Sequence, residues 1–298
     1  MSGRLKEVRE RIKSVQNTQQ ITKAMKMVSA AKLRKAQQAI QDMRPYANKL
    51  NDMLRNILSN MDGDVDVSFG KVREVHNACM VVVTSNRGLC GAFNTNVIKA
   101  AVKTIDEKYA DVRKNKRLTI LCIGKKGYDF FRKRYADCNI VSDHVHLFDH
   151  LTYENISAVS QRLMDAFEHK EYDAVDVAYG HFRNAAVQYP ISEQFLPVPP
   201  LEKEEGKNGR RSDYIFEPDK TELLLNLIPS ILHNTFQKFV LDTHASEHGA
   251  RMTSMDNATN NADEIMRELR ISYNKARQEA ITKELSEIVG GAAALENA

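Results

Sequence analysis

The sequence predicts a mixed α/β protein with a long helix at each end and a domain of parallel strands between them. Three observations predict it. Both termini hold long runs free of Gly and Pro. Apolar residues recur in those runs in steps of three and four, the spacing of one helix face. The middle of the chain instead alternates continuous apolar stretches with amphipathic ones, the pattern of a parallel sheet covered on both faces. Charge also separates the ends. Residues 1–55 hold thirteen Lys and Arg against four Asp and Glu, and residues 220–298 hold eight against eleven. The terminal helices are therefore expected to lie against each other.

Residues 1–60 form the first helix in this reading. From Ser2 to about Leu58 the residues hostile to a helix are Gly3 and Pro45. Apolar positions fall at Leu5, Val8, Ile12 and Val15, then Ile21, Met25 and Val28, then Leu33, Ala36, Ile40 and Met43. That is a narrow coiled-coil seam whose register slips between runs. The stretch from Ser14 to Gln41 has no aromatic ring, few large aliphatics and a surplus of Lys and Arg. A helix that anchors a core carries a wider apolar stripe. Pro45 is a candidate kink, and "MDGDVDVSFG" (Met61–Gly70) ends the helix.

Residues 71–215 read as the α/β domain. "NACMVVVTS" (Asn77–Ser85), "RLTILCIG" (Arg117–Gly124) and "AVDVAYGHF" (Ala174–Phe182) are buried strands by their β-branched and apolar runs. "NTNVIKAAVKTIDEKYA", "KKGYDFFRKRYA" and "ENISAVSQRLMDAFEH" are the helices between them. "LPVPPLEKEEGKNGRRS" (Leu196–Ser212) is a Pro-rich, then charged, exposed connection.

Residues 216–298 form the second long helix. Stepping by three and four gives Leu224, Leu227, Ile231, Asn234, Lys238, Leu241, Ala245, His248, Met252, Met255, Thr259, Ala262, Met266, Leu269, Tyr273, Ala276 and Ala280, an unbroken heptad pattern. About 75 helical residues would span roughly 110 Å, so this rod is expected to project from its domain. "MTSMDNATNNAD" (Met252–Asp263) is rich in residues that favour loops and caps. The heptad phase runs through it without Gly or Pro, so packing against another helix is expected to keep it helical.

Several chemistries are weighed and set aside. "SNRGLCGAFN" follows the first strand, where backbone N–H groups can bind phosphate. It lacks both the G-x-x-x-x-G-K-[ST] and the G-x-G-x-x-G string, and so does "GKKG" (Gly124–Gly127). These glycines are read as closing tight strand-to-helix turns. "HASEH" (His244–His248) fits H-x-x-E-H, the inverted zinc-peptidase string, with His244 and His248 on one helix face and Glu247 as a base. It lies mid-helix on a heptad seam, with no third ligand in view. "HVHLFDH" (His144–His150) reads as exposed histidines. The basic first helix has almost no aromatics that could stack on bases, and an opposite-sign helix in the same chain accounts for much of its charge, so no nucleic acid is expected. Cys79, Cys90, Cys122 and Cys138 have no C-x-x-C spacing and read as reduced thiols. No apolar run approaches the roughly 18 residues that a membrane span needs, and the first residues lack an apolar signal core. A cytoplasmic chain is expected.

"VQNTQQITKAMKMVSAAKLRKAQ" and "ASEHGARMTSMDNATNNADEI", with "LRISYNKARQEAITKELSEIVGGAAAL", closely resemble the two terminal signatures of the gamma-subunit family of F-type ATP synthases. "SNRGLCGAFN" and "DYIFEPD" look like the signatures of its central domain, so the resemblance covers essentially the whole chain. It implies an antiparallel coiled coil of the long N- and C-terminal helices plus a central Rossmann-like parallel-sheet α/β domain. It implies a non-catalytic rotor that couples proton flow to ATP synthesis or hydrolysis, with chemistry on the beta subunits and no cofactor or metal of its own. The implied partners are the ring of alpha and beta subunits, the epsilon subunit and the c ring, at the cytoplasmic face of a bacterial inner membrane. Met25, Lys26, Arg251, Gln278, Thr282, Glu284 and Glu287 match positions that meet the alpha and beta subunits. Tyr214 and Glu217 match positions near the c ring and epsilon. The apolar tip beyond Ile281 (Leu285, Ile288, Val289, Leu295) suits a bearing at the top of the ring. Two rival readings are an autonomous α/β enzyme that uses the rods for dimerisation and a plain coiled-coil scaffold.

Overall fold

The structure is a computed structural model and describes residues 3–59, 68–198 and 220–296. The chain divides into two compact units: Met1–Ser29 with Met252–Ala298, and Ala30–Arg251. Both division points fall inside continuous helices, α1 (Gly3–Ser59) and α6 (Lys220–Glu296). Pro45 and Pro229 each remove one backbone donor without ending their helix.

In the first unit, stretches of α1 and α6 pair antiparallel. Arg4 meets Glu279 at 3.2 Å, Gln19 donates to Asp263, the hydroxyls of Thr22 and Thr259 lie 2.9 Å apart, and Lys26 meets Asp256. Numbers rise along one helix as they fall along the other. On α6 the heptad reading holds here, with Met255, Ala262, Met266 and Ala276 buried and Leu269, Tyr273 and Ala280 half-buried. The stretch Met252–Asp263 is helical. Its loop-favouring side chains are used by the pairing: Asp256 and Asp263 reach α1, and Thr259 also donates to the Met255 carbonyl of its own helix.

On α1 the seam differs from the expectation. Ile21 and Val28 are 60% and 57% exposed, whereas Thr22 and Ser29 are buried and Gln19, Met25 and Lys26 are half-buried. The inward positions are Leu5, Val8, Ile12, Val15, Gln19, Thr22, Lys26 and Ser29, continued by the buried Leu33, Ala36 and Ile40. The register therefore never slips. Reading only apolar residues moved the seam onto the outer face, because the α6 side of this stretch offers Thr and Asp and so selects polar partners.

The second unit is built on a five-stranded sheet in the order β3-β2-β1-β4-β5. Its strands are β1 (Ala78–Val83), β2 (Leu118–Ile123), β3 (Asn139–Val141), β4 (Ala174–Phe182) and β5 (Gln188–Leu196). The first four are parallel, and β5 pairs antiparallel with β4. Neither β3 nor β5 was anticipated. The first has three residues, and the second mixes polar residues with Pro190, which an edge strand tolerates.

Alternation puts successive side chains on opposite faces. Cys79, Val81 and Val83 join one core with α5 (Tyr153–Glu168), Leu50 and Leu54 of α1, and Leu232, Phe236 and Phe239 of α6. Ala78, Met80 and Val82 join the other with α2 (Phe93–Lys108), α3 (Ala110–Lys114) and α4 (Lys125–Arg134). Both faces are covered, which is why the strands read as unbroken apolar runs. On this sheet the heptad positions Leu227, Asn234, Leu241, Ala245 and His248 are buried as read, but the buried face of α6 is wider than the seam. Lys238 is exposed while Phe236, Phe239 and Val240 are buried, since a sheet accepts a broad helix face and not a narrow seam. All four cysteines are free thiols.

The turn from β2 into α4 requires glycine. Gly124 has φ +94°, and a Cβ there would stand 2.0 Å from the Thr84 carbonyl oxygen. Gly124→Ala is expected to lower the unfolding free energy by about 2–4 kcal/mol, from the left-handed backbone and the overlap together. Urea unfolding of the chain measures this, and a loss below about half the lower figure would contradict the geometry.

Candidate functional site: a helix seated on the sheet crest

A parallel α/β sheet offers a natural crevice beyond the carboxyl ends of its strands, where the strand order reverses. Here the reversal lies between β1 and β4. The loop after β1 is tied by its own side chains: Ser85 Oγ donates to the Arg87 carbonyl at 2.6 Å, and Asn94 accepts from the Ser85 N–H at 3.0 Å. Arg87 and Gly88 turn carbonyl oxygens toward α6. Arg251 fills that acceptor pair, donating from Nε to Gly88 at 3.2 Å and from a terminal nitrogen to Arg87 at 3.1 Å. A phosphate cradle needs donors, and this loop presents acceptors to a cation.

Beside it, α6 takes over the end of the β1–β4 ladder. That ladder stops at Val82–Ala178. Two residues further on, the Gly180 N–H donates to Thr243 Oγ1 at 3.2 Å, and the Gly180 carbonyl accepts from Ser246 Oγ at 2.9 Å. The helix thus supplies both bonds a neighbouring strand would have supplied. Gly180 permits the approach: a Cβ there would lie 2.5 Å from the Phe93 ring and 3.3 Å from Ser246 Cβ. His181 Nδ1 lies 2.9 Å from the Asp242 carboxylate.

The H-x-x-E-H string is part of this seat. Glu247 is turned onto Arg251 at 2.7 Å. Arg251 is always a donor, so its 3.3 Å contact makes His248 Nδ1 an acceptor and puts the imidazole proton on Nε2. That nitrogen donates to His244 Nε2 at 3.2 Å. Burial, then the positive charge of Lys32, lowers the His244 pKa to about 4. Burial, then His244 and Arg251, lowers that of His248 to about 3. Burial raises the Glu247 carboxyl against the pull of Arg251. Among the described residues no group of three or more His, Cys, Asp or Glu is placed to hold a metal ion.

The positions singled out by the sequence fall into three groups. Met25 and Lys26 are half-buried on α1, and Gln278, Thr282, Glu284 and Glu287 are exposed on α6. Arg251 is a correction: it is 7% exposed, with its guanidinium engaged inside the chain, so it offers no surface to a partner. Tyr214 and Glu217 lie outside the described residues. Sequence reasoning missed Gly180, Asp242, Thr243 and Ser246. The available signal was the cluster of small residues in "THASEHGA" (Thr243–Ala250), which lets a helix approach a backbone closely.

The fold and the filled crevice define a coiled-coil protein whose α/β domain serves as a seat for its own helix. A family model described as ATP synthase matches residues 4–295. The chain is 50% identical over 291 residues to the ATP synthase gamma chain of Flavobacterium johnsoniae, covering 98% of each. It is 48% identical over 294 residues to that of Cytophaga hutchinsonii, covering 98% of this chain and 99% of the relative. Its fold is similar to a chain in a cryo-EM structure of the Euglena gracilis mitochondrial ATP synthase containing OSCP, F1 and c-ring (TM-score 0.67, 24% identity, 99% of this chain and 95% of the other). It is also similar to a chain in the rotor of that enzyme (TM-score 0.59, 21% identity, 94% and 100%). The chain belongs to the ATP synthase gamma-chain family.

The buried imidazoles set a pH dependence. Their folded pKa values lie below the ordinary 6.5. As pH falls below about 6.5 the unfolded chain takes up protons that the folded chain refuses, so stability falls with acid until the folded values are reached. Each histidine contributes a slope of about 1.4 kcal/mol per pH unit in that window. Glu247 is raised and works the other way, so the comparison is with His244→Gln/His248→Gln, which retains it. Urea unfolding between pH 4.5 and 6.5 is expected to show a slope flatter by about 2–3 kcal/mol per pH unit in the double variant. Equal slopes would mean that the imidazoles are not held neutral.

Proposed function

We propose that this chain is a central-stalk subunit that performs no chemistry itself and turns inside the ring of alpha and beta subunits of a bacterial ATP synthase. Its α/β domain rests on the epsilon subunit and the c ring at the cytoplasmic face of the inner membrane. Turning couples proton flow through the membrane sector to ATP synthesis or hydrolysis on the beta subunits. The supporting observation is where the coil puts its apolar side chains. Thr22, Lys26 and Ser29 face inward while Ile21, Met27 and Val28 face solvent. On α6, every described side chain from Ile281 to Ala292 is exposed, with Ile288 and Val289 at 68% and 66%. Apolar groups left outside a helix pair call for a surrounding partner.

Lys32, Arg34 and Lys35 are exposed on α1 and suit reversible attraction to acidic loops on beta. Single solvated pairs of this kind are weak, about 0.2–1 kcal/mol each, so they do not arrest a turning shaft. Met25, Lys26, Gln278, Thr282, Glu284 and Glu287 are the positions proposed to meet the ring. Tyr214 and Glu217 are proposed to face epsilon and the c ring. No helix among the described residues is long and apolar enough to cross a membrane, which is compatible with attachment through the complex.

The test is reconstitution. The purified chain alone should neither bind nor hydrolyse ATP, and adding it to the remaining subunits in vesicles should restore ATP-driven proton pumping. Lys32→Glu/Arg34→Glu/Lys35→Glu should lower pumping about threefold while the ring still hydrolyses ATP, in line with several weak exposed contacts. ATP hydrolysis by the isolated chain, or full pumping without it, would refute the reading.

A further inference from the structure

We infer that the crest contacts of α6 form a rotational key: Thr243, Ser246 and Arg251 prevent the helix from turning about its own axis on the α/β domain. The inference rests on the axle reading above and says where torque is held within this chain. A helix on a sheet through greasy contacts alone can roll, because dispersion has little directional preference. Hydrogen bonds weaken steeply away from linearity. Here α6 makes directional contacts to two separate segments of the crest. The Gly180 N–H and C=O are bracketed by Thr243 and Ser246. The Arg87 and Gly88 carbonyls are held by Arg251.

The placement along α6 suits a key. Thr243, Ser246 and Arg251, with Glu247 bracing the arginine, lie on one helix face and are all buried. A turn by one residue, about 100°, would carry both hydroxyls off Gly180 and leave its backbone groups without these partners. Close packing limits translation as well, since a Cβ at Gly249 would lie 3.1 Å from the Ala185 carbonyl oxygen and 3.3 Å from Ala185 Cα. None of these residues is a catalyst; they position the helix that carries load.

The experiment uses the assembled complex in vesicles. Thr243→Val/Ser246→Ala removes both hydroxyls with little change in shape, while Thr243→Ser keeps its hydroxyl. Protons pumped per ATP hydrolysed should fall about fivefold in the double variant, as expected for two lost hydrogen bonds, and stay near the parent value in Thr243→Ser. The double variant should still assemble into the complex and the ring should still hydrolyse ATP, which separates a lost key from a misfolded chain. Unchanged pumping in the double variant, or a Thr243→Ser variant that pumps no better than it, would overturn the key while leaving the axle reading intact. A parent complex that pumps no protons would overturn both.

Discussion

Backbone hydrogen bonding at the end of a strand organises the α/β unit. The β1–β4 ladder stops at Val82–Ala178, and buried backbone groups beyond it need partners or carry a penalty of about 1–3 kcal/mol each. A helix cannot offer backbone donors from its middle, because they are already used within it. It can offer side-chain hydroxyls, and α6 places Thr243 and Ser246 three residues apart where one turn meets Gly180. Much else at the crest follows from that contact. Gly180 must lack a side chain, the helix surface must be small there, and the following turn must bury an ion pair, Glu247–Arg251, whose charges need further partners. The Arg87 and Gly88 carbonyls and His248 provide them.

The same constraint explains why a fold related to nucleotide-binding domains has its crevice closed here. The usual site gathers N–H donors around an anion. This chain keeps the two glycines of "SNRGLCGAFN" but turns carbonyls inward, toward a cation that is part of the protein. The glycine pattern alone cannot distinguish the cases, because Gly permits either peptide orientation.

Much of the fold was legible in the sequence. Strand positions, both long helices and the helical state of Met252–Asp263 followed from period and from the absence of breakers. The α1 seam was not, because Gln19, Thr22, Lys26 and Ser29 reveal an inward face only once Asp263, Thr259 and Asp256 stand opposite them. Strand β5 was missed because an edge strand with one open side need not be apolar. Arg251 was assigned to a partner surface because the family resemblance implied a contact there, and nothing in the neighbouring sequence spoke against it. Its burial depends on Glu247 one turn before and on two carbonyls more than 160 residues away, a coincidence that no local window contains.

The polar stretch of the coil and the polar seat on the sheet follow one logic. Apolar seams bind strongly but tolerate small rotations, since any methyl can replace another. A Thr–Thr contact, a Gln–Asp pair and a Lys–Asp pair at successive inward positions have far fewer equivalent arrangements, and polar residues at such positions are known to fix alignment at some cost in stability. Relieved of that role, the apolar residues of the same turns, Ile21, Met27 and Val28, are exposed. A helix pair that located itself by hydrophobic contact would have to bury them. Because directional bonds do the locating, this pair can keep an outer surface that is partly apolar and partly basic, as the proposed shaft, touching its sleeve without adhering to it, requires.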